Sequence, residues 1–156
     1  RFAYVCHLGP SDQGCALCES LSGECAQKNL VLYRGKKVFI GLNLYPYTSG
    51  HLLLVANRHI PSLQDADPEE LHSFLELAQV CEHALGSEYH PDGFNIGFNI
   101  GRAAGAGVDH HLHMHVLPRW VGDSSFMTVV AETRVLPEAL GQTYNRLAPY
   151  FENLSV

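Results

Sequence analysis

The sequence predicts a single α+β domain over residues 1–156, in which short strands pack against one long helix and a C-terminal helix. Polar and apolar residues alternate over 111–116, as they do in a half-buried strand. Apolar residues recur at helical spacing over 71–85 and again over 136–147, which indicates two amphipathic helices. A chain of 156 residues is long enough to bury one hydrophobic core.

The first third of the chain is predicted to hold three strands. Residues 1–14 indicate an irregular N-terminal segment. Residues 30–40 predict two short strands around the hairpin signal Arg34-Gly35-Lys36, and the second strand is expected to continue to Asn43. After a turn, the nearly continuous apolar run at 51–56 predicts a buried strand.

The long helix has a well-defined start. Asp67 can cap it, Pro68 suits its first position, and Glu70 stands three residues after the cap. Because Gly86 follows Leu85, the last apolar residue at helical spacing, we expect the helix to stop near that glycine.

The second half of the chain alternates strands and loops. Residues 94–100 predict a short strand, and residues 101–107 predict a glycine-rich loop that leads into the histidine strand. A further short strand is expected at 126–130. The C-terminal helix is expected at 137–152, with Pro149 kinking or ending it.

Composition and charge argue against several classes of function. The net charge of −6 argues against nucleic-acid binding, which needs a basic patch. Neither a run of about 18 apolar residues nor a signal peptide is visible, so we expect no membrane association. The five cysteines are odd in number, which disfavours a secreted disulfide framework and favours a reducing compartment. We therefore expect a cytoplasmic protein.

Three alternating histidines define the candidate site. Residues two apart project from one face of a strand, so His111, His113 and His115 should point the same way, with Leu112 and Met114 turned into a core. Neighbouring imidazoles could bind a metal ion, or act as nucleophile and proton relay near neutral pH. A polar strand face turned to water is the remaining interpretation.

Two further motifs indicate binding sites. The glycine-rich loop could hold a phosphate on its backbone N–H groups, with Arg102 adding a cation, although a plain hairpin connection has the same composition. Cys15 and Cys18 are spaced so that both thiolates can reach one tetrahedral metal ion. A redox pair or two chance buried cysteines are the alternatives.

These motifs together resemble the histidine-triad (HIT) family, whose signature is His-x-His-x-His followed by two apolar residues. The resemblance covers nearly the whole chain, and the segment 118–140 is similar to the bacterial diadenosine tetraphosphate phosphorylase-like members close to the fragile-histidine-triad branch. It is carried by Cys15-Ala-Leu-Cys18, Asn43-Leu44-Tyr45-Pro46, Gly50-His51, Asn57-Arg58-His59-Ile60, Asn99 with the glycine-rich loop, the run from His111 to Leu117, and Pro118-Arg119-Trp120.

The resemblance implies a HIT-like fold with a mainly antiparallel sheet, assembled as a two-fold dimer. It implies that His113 attacks the α-phosphorus of a dinucleoside polyphosphate, of the diadenosine tetraphosphate or triphosphate class, and forms a nucleotidyl-histidine intermediate. His115 would contact the phosphoryl oxygens. His51 would support the triad from behind and orient the catalytic ring.

Substrate contacts and metal ligands are also implied by the resemblance. The residues that would bind substrate are Asn43 at the ribose, Leu44 at the base, and Asn99, Gly105, Ala106 and Gly107 at the phosphates. The four residues that would hold a structural zinc ion are Cys15, Cys18, His59 and His111. His111 would therefore either bind zinc or anchor the histidine strand.

The sequence departs from the HIT pattern at two places. Ala106 and Gly107 stand where many relatives carry Gln, Ser or Thr, so a side-chain donor to the leaving phosphate is missing or is replaced by backbone N–H groups. An added residue before the triad predicts a bulge at Asp109 and His110. Hydrolase and phosphorylase stay undecided, because they share the first step. A nucleoside phosphoramidate or aminoacyl-adenylate hydrolase, or a nucleotide-binding sensor with little turnover, is the alternative.

Overall fold

The computed structural model describes residues 14–22, 30–124 and 138–154. Along these residues, one α-helix is followed by three strands, a long α-helix, two strands and a last α-helix, with short 3₁₀ helices at Leu63–Asp65, Arg102–Ala104 and Ala148–Tyr150. We number the strands β1 (Val31–Arg34), β2 (Val38–Leu42), β3 (Leu52–Ala56), β4 (Gly93–Phe98) and β5 (His113–Arg119), and the helices α1 (Ala16–Ser22), α2 (Pro68–Tyr89) and α3 (Leu140–Leu147).

The strands form one sheet in the order β1-β2-β3-β5-β4, and every neighbouring pair is antiparallel. The predicted α+β fold with a mainly antiparallel sheet is therefore confirmed. The histidine strand β5 lies between β3 and β4, with Leu53 opposite His115 on one side and Gly97 opposite it on the other. Because both neighbours pair with β5, its side chains are held in a fixed register.

One face of the sheet packs against α2 and forms the main hydrophobic core. Leu112, Met114 and Val116 belong to the same buried cluster as Phe74 and Leu77 of α2. The prediction that the apolar residues between the histidines enter a core is therefore confirmed. Burial of each such side chain stabilises the fold by about 1.5–3 kcal/mol relative to an exposed position, so the helix side of β5 is firmly packed.

The opposite face of the sheet carries the histidines and a smaller apolar cluster. In the register, Val55 of β3 lies opposite His113. Helix α1 packs on this face through Leu17 and Leu21. The buried members of the cluster are Val31, Phe39, Leu53 and Val55. Packing of α1 here brings the two cysteines at its start to the histidine face.

Helix α2 begins as the sequence predicts. The Asp67 carboxylate accepts from the Glu70 backbone N–H at 2.8 Å, and the Glu70 carboxylate accepts from the Asp67 backbone N–H at 2.9 Å. Pro68 occupies the first turn, where its missing N–H has no helical partner to lose. This reciprocal capping satisfies donors that the helix itself leaves without partners.

The end of α2 lies beyond the predicted stop. The helix continues through Gly86 to Tyr89 and ends where His90 adopts a left-handed conformation with φ 47°. Leu85 and Tyr89 pack closely on Gly50, where a built Cβ would lie 2.9 Å from Leu85 and 3.3 Å from Tyr89. Packing of this last turn outweighs the roughly 1 kcal/mol by which an interior glycine disfavours a helix.

The histidine strand is displaced toward the C-terminus of the predicted one. β5 starts at His113, so the expectation that all three histidines share one strand is wrong for His111. The strand also continues through Pro118 to Arg119, where the sequence predicts its end. The Pro118 carbonyl accepts from the Thr48 hydroxyl at 3.2 Å, so it points to the side of β5 on which β3 lies. At Pro118 the pairing between β3 and β5 has already ended. A proline is tolerated there because no strand needs its N–H.

The C-terminal helix is shorter than the predicted 137–152. Helix α3 ends at Leu147, and the next residues form a 3₁₀ turn that contains Pro149, which has no N–H for the α-helical hydrogen bond. The strand predicted at 126–130, the start of the predicted helix and nearly all of the predicted irregular segment lie outside the described residues. None of the described helices is long and apolar enough to cross a membrane.

Candidate active site and metal centre

Strand β5 presents His113 and His115 on the sheet face opposite α2. Both are buried, with 5% and 8% of their surface exposed. On the β3 side they lie against Val55 and Leu53. On the β4 side Gly97 stands opposite His115, and a Cβ built there would meet no described atom within 4 Å. The histidines are therefore packed from one side and approachable from the other.

The backbone fixes the tautomer of His113. Its Nδ1 lies 2.7 Å from the carbonyl oxygen of His111, which can only accept, so Nδ1 carries the hydrogen. Burial lowers the pKa of His113 below its usual value, although the hydrogen bond to the His111 carbonyl opposes this shift. The ring is then neutral near pH 7 and its lone pair is on Nε2. A neutral imidazole with a fixed lone pair is suited to nucleophilic attack.

A chain of hydrogen bonds fixes the proton positions of His51 and His115. The Tyr47 backbone N–H donates to His51 Nδ1 at 3.1 Å, so the hydrogen of neutral His51 is on Nε2. That Nε2 lies 2.9 Å from His115 Nδ1 and donates to it. Neutral His115 therefore carries its hydrogen on Nε2, 3.4 Å from the amide nitrogen of Asn99. Two donors at this spacing cannot bond to each other, but both can donate to one anionic oxygen.

Asn43 belongs to the same chain of contacts. Its Oδ1 accepts from the Tyr45 backbone N–H at 3.0 Å, which directs its Nδ2 toward His51 Nδ1 at 3.3 Å. Asn43 thus orients His51, a role that the sequence does not suggest. Leu44 and Tyr45 beside it are large apolar side chains that are about half exposed.

The glycine-rich loop folds back on itself. Gly101 and Gly105 have positive φ of 78° and 88°, a conformation that favours glycine. The amide of Gly105 donates to the Arg102 carbonyl at 3.0 Å, and the amide of Ala106 donates to the Gly101 carbonyl at 3.4 Å. Of the three loop amides expected at a phosphate, that of Gly107 is the one that donates to no described residue.

The bulge predicted before the triad is a turn instead. Asp109 and His110 lie in a turn between the loop and β5, and no shift of register occurs where β5 pairs with its neighbours. Residues 109–110 therefore add length outside the sheet, which leaves the alternation of His113 and His115 undisturbed.

Cys15, Cys18, His59 and His111 form a separate cluster. Their four ligand atoms lie within 4.8 Å of one another. His111 Nδ1 lies 3.3 Å from the Cys15 sulfur and 3.4 Å from the Cys18 sulfur, and His59 Nδ1 lies 3.3 Å from the Cys18 sulfur. Two thiols and two imidazoles in this arrangement could hold a metal ion, and four protein ligands would leave no open position for catalysis.

Protonation in this cluster fits a metal site. The Ala56 carbonyl accepts from His111 Nε2 at 2.8 Å, so the lone pair of His111 is on Nδ1 and points at the sulfurs. Burial lowers the pKa of His111 to about 4, which keeps the ring neutral. Burial and the neighbouring Cys15 raise the pKa of Cys18 to about 11, so its proton would have to be replaced by a metal ion for the thiolate to form.

An ion pair between the exposed Arg58 and the buried Glu70 lies beside the cluster and was not foreseen from the sequence. The Glu70 carboxylate accepts from Arg58 Nε at 2.8 Å and from Arg58 Nη2 at 2.6 Å. Since Arg58 precedes His59 in the chain, the N-terminus of α2 anchors the segment that carries this ligand. The sequence signals a capping role for Glu70, but no pattern in it pairs this residue with a cation twelve residues earlier.

Known proteins are similar to this chain in sequence and in fold. A sequence model of the HIT domain matches residues 25–121. The chain belongs to the HIT family. It is 39% identical over 122 residues to an AP-4-A phosphorylase of Mycobacterium tuberculosis, and the match covers 78% of this chain and 63% of the phosphorylase. Since the matched region spans less than two thirds of that relative, the activity of the whole phosphorylase does not transfer directly.

Two further HIT proteins are similar to this chain. A bis(5′-nucleosyl)-tetraphosphatase (asymmetrical) of Schizosaccharomyces pombe is 33% identical over 95 residues, which are 61% of this chain and 52% of the tetraphosphatase. The crystal structure of a Zn-bound histidine triad family protein from Mycobacterium smegmatis has a TM-score of 0.72 and 29% identity, and covers 90% of this chain and 94% of its own.

The HIT triad is therefore divided between two clusters in this chain. His113 and His115 lie in the candidate active site with the residues that contact them, namely His51, Asn43 and Asn99. His111 faces the cysteines. Among the described residues, the metal-ligand cluster does not include the other two triad histidines. This geometry therefore argues against a single metal site shared by all three histidines.

Proposed function

We propose that this HIT protein cleaves dinucleoside polyphosphates, of the diadenosine tetraphosphate or triphosphate class, at the α-phosphate through a nucleotidyl intermediate on His113. The observation that carries this proposal is the hydrogen bond of 2.7 Å from His113 Nδ1 to the His111 carbonyl. It leaves the Nε2 lone pair of a buried, neutral ring for attack on phosphorus. The similarity to an AP-4-A phosphorylase and to a bis(5′-nucleosyl)-tetraphosphatase supports the substrate class.

The reaction proceeds in two displacements. The His113 Nε2 lone pair forms a P–N bond as the P–O bond to the leaving chain breaks, and the electron pair departs on that oxygen. Water or inorganic phosphate then attacks the same phosphorus, the P–N bond breaks, and the electron pair returns to Nε2. The first product is a shorter nucleotide, and the acceptor of the second step decides between a hydrolase and a phosphorylase.

Donors beside His113 stabilise the charge that develops on the phosphoryl oxygens. His115 Nε2–H and the Asn99 amide nitrogen lie 3.4 Å apart, close enough for both to donate to the same oxygen. The bond from His51 holds the His115 proton on that side. Preorganised donors of this kind contribute a large share of catalysis, typically about 10²–10³ in rate for one donor.

Substrate binding is assigned to the loops around this centre. We assign the phosphates to Asn99 and the loop residues Gly105, Ala106 and Gly107, with the Gly107 amide as the donor that the loop itself does not use. We assign the ribose to Asn43 and the base to Leu44, whose exposed apolar surface suits a planar ring.

The cluster of cysteines and histidines is proposed to bind a structural zinc ion. Cys15, Cys18, His59 and His111 supply a Cys₂His₂ set, which zinc prefers. Its role would be to fix α1 and the segment before β5 against β3. Thiols that must remain reduced fit a cytoplasmic location. We further propose that the chain forms a single HIT domain and assembles as a two-fold dimer.

The decisive experiment is incubation with diadenosine tetraphosphate, with and without inorganic phosphate, followed by identification of the products. ATP and ADP formed only with phosphate identify a phosphorylase, and ATP and AMP formed regardless of phosphate identify a hydrolase. His113→Ala should abolish turnover and leave nucleotide binding nearly intact. His83→Ala, a change at an exposed histidine of α2, is the matched control and should leave turnover unchanged. Near wild-type turnover in His113→Ala would refute the nucleophile assignment.

A second candidate substrate class has a specific observation in its favour. Ala106 and Gly107 offer no side-chain donor to a leaving phosphate, and such a donor is not needed when the leaving group is an amine or an amino acid. If diadenosine tetraphosphate is not cleaved but adenosine 5′-phosphoramidate or an aminoacyl-adenylate is, this class replaces the first. Nucleotide binding without any turnover would instead indicate a sensor.

A further inference from the structure

Arg102 is a cation of the glycine-rich loop that the proposed mechanism does not use. Its side chain is 72% exposed, and its Nε donates to Asp109 Oδ2 at 2.7 Å. Its two terminal amino groups bond to no described residue. Arg58, Arg119 and Arg146 differ, because each binds carboxylates through two nitrogens. Arg102 is therefore held loosely in comparison, and an exposed pair of this kind is weak.

The partner of Arg102 is itself held in place. The other oxygen of Asp109 lies 3.3 Å from His110 Nδ1, and the His110 ring lies 5.3 Å from the ring of His59. The loop around Arg102 is closed by the hydrogen bonds of Gly105 and Ala106 described above. The guanidinium thus starts from a defined place between the loop and the metal-ligand cluster.

This place is close to where a leaving polyphosphate chain would emerge. Asn99, whose amide lies 3.4 Å from His115 Nε2, is three residues before Arg102, a separation of about 10 Å at most for an extended backbone. A chain with net charge −6 must attract a polyanion through local cations. Phosphate accepts two parallel hydrogen bonds from a guanidinium, which a single contact to Asp109 cannot match.

We propose that Arg102 binds the phosphates of the leaving chain and selects substrates by the length of that chain, while Asp109 holds the guanidinium until a substrate displaces it. This inference rests on the proposed function. Leaving groups with several phosphates reach Arg102, and a leaving group with one phosphate does not. Loss of its charge should then reduce the preference for long chains, and loss of its partner should not.

The test compares Arg102→Gln and Asp109→Asn with the wild-type protein on diadenosine diphosphate and diadenosine tetraphosphate. Lys36→Gln, on the β1–β2 hairpin, is the matched control for the change in net charge. Arg102→Gln should lower the ratio of kcat/KM for tetraphosphate over diphosphate by about tenfold, the size of one charge-assisted hydrogen bond. Asp109→Asn should lower KM for the tetraphosphate, because the competing carboxylate is gone. Lys36→Gln should leave the ratio unchanged.

Binding measured by calorimetry in the His113→Ala protein separates this inference from the proposed reaction. If the wild-type protein cleaves neither compound but Arg102→Gln still weakens tetraphosphate binding more than diphosphate binding, the reaction fails and the inference stands. Equal effects of Arg102→Gln on both substrates, or no effect on either, would overturn the inference. Weaker binding of both compounds in Asp109→Asn would overturn the role of Asp109 and show that it only shapes the loop. Absence of binding to either compound would overturn both proposals.

Discussion

Replacement of Arg58 by methionine should destabilise the protein by leaving a buried charge without its partner. The Glu70 carboxylate is 1% exposed and accepts two hydrogen bonds from Arg58 and one from the Asp67 backbone. In Arg58→Met only the backbone donor remains, while methionine keeps most of the apolar stem. Only the carboxylate is buried, because Arg58 is 54% exposed, so the loss is that of a buried acceptor left short of donors, about 1–3 kcal/mol. For a chain of this size, that corresponds to a Tm lower by about 2–12 °C.

Urea unfolding at pH 7, with the double variant Arg58→Met/Glu70→Gln as control, measures this effect. A neutral glutamine at position 70 costs less to bury without a partner than a carboxylate does. The double variant should therefore regain much of the stability that Arg58→Met loses. If Arg58→Met costs less than about 0.5 kcal/mol, or if the double variant is less stable than the single one, the carboxylate is not held by Arg58 as described. The exposed pair between His72 and Glu76 on the same helix offers a comparison, and His72→Ala should change stability little.

Acidification gives an independent check on the same pair. Hydrogen bonds from Arg58 hold the pKa of Glu70 below its usual value in the folded protein. The stability from this shift is present above the ordinary glutamate pKa and is lost as pH falls through the folded pKa. In Arg58→Met, burial should instead raise the pKa of Glu70, so its penalty disappears as pH falls and the carboxyl group protonates. The difference in stability between the two proteins should therefore narrow toward pH 4, and a constant difference would contradict this explanation.

Three further predictions address other parts of the molecule. Gly50→Ala should cost about 1–3 kcal/mol, because Gly50 has φ of 79° and its Cβ would lie 2.9 Å from Leu85; thermal unfolding measures this, and no loss would contradict the close packing of α2. His51→Leu should lower kcat by roughly 10–100-fold with little change in KM, because it removes the donor that orients His115; steady-state kinetics measure this, and a change confined to KM would contradict it. A strong chelator should lower the free energy of unfolding of the metal-loaded protein, and with it the Tm, by the linked binding energy, about 2.7 kcal/mol when free metal had been at a hundredfold excess over Kd. The Cys15→Ser protein should contain less zinc by elemental analysis, and equal zinc content would remove Cys15 from the ligand set.

Much of the fold followed from local patterns in the sequence. The hairpin signal around Gly35 predicted β1 and β2, the nearly continuous apolar run at 51–56 predicted β3, and the capping box at Asp67 predicted the start of α2. These signals depend on neighbouring residues alone. The end of α2 did not follow, since it depends on Gly50, a residue far away in the sequence that makes room for the last helical turn. Local patterns cannot contain such a contact.

The candidate site, like the fold, could be predicted where it depends on local motifs and could not be predicted where it depends on contacts made only in the folded chain. The cysteine spacing and the HIT resemblance predicted the four residues that the structure brings within 4.8 Å. The role of Asn43 as a donor to His51 was missed, because it depends on the Tyr45 backbone fixing the orientation of the amide. The pairing of Arg58 with Glu70 was missed because a capping glutamate carries no sign that it is buried.

The position of His111 explains how three evenly spaced histidines serve two different clusters. The Leu112 backbone N–H donates to the Ile60 carbonyl and the Leu112 carbonyl accepts from the Ala56 N–H, so the chain is paired with the end of β3 before β5 begins. His111 is thereby directed at the cysteines, and its own carbonyl is left facing His113 Nδ1. A metal ion on His111 would then fix the carbonyl that sets the tautomer of His113. Alternation alone predicts one shared face, whereas the pairing at Leu112 links the cluster of possible metal ligands to the proposed nucleophile through one peptide group.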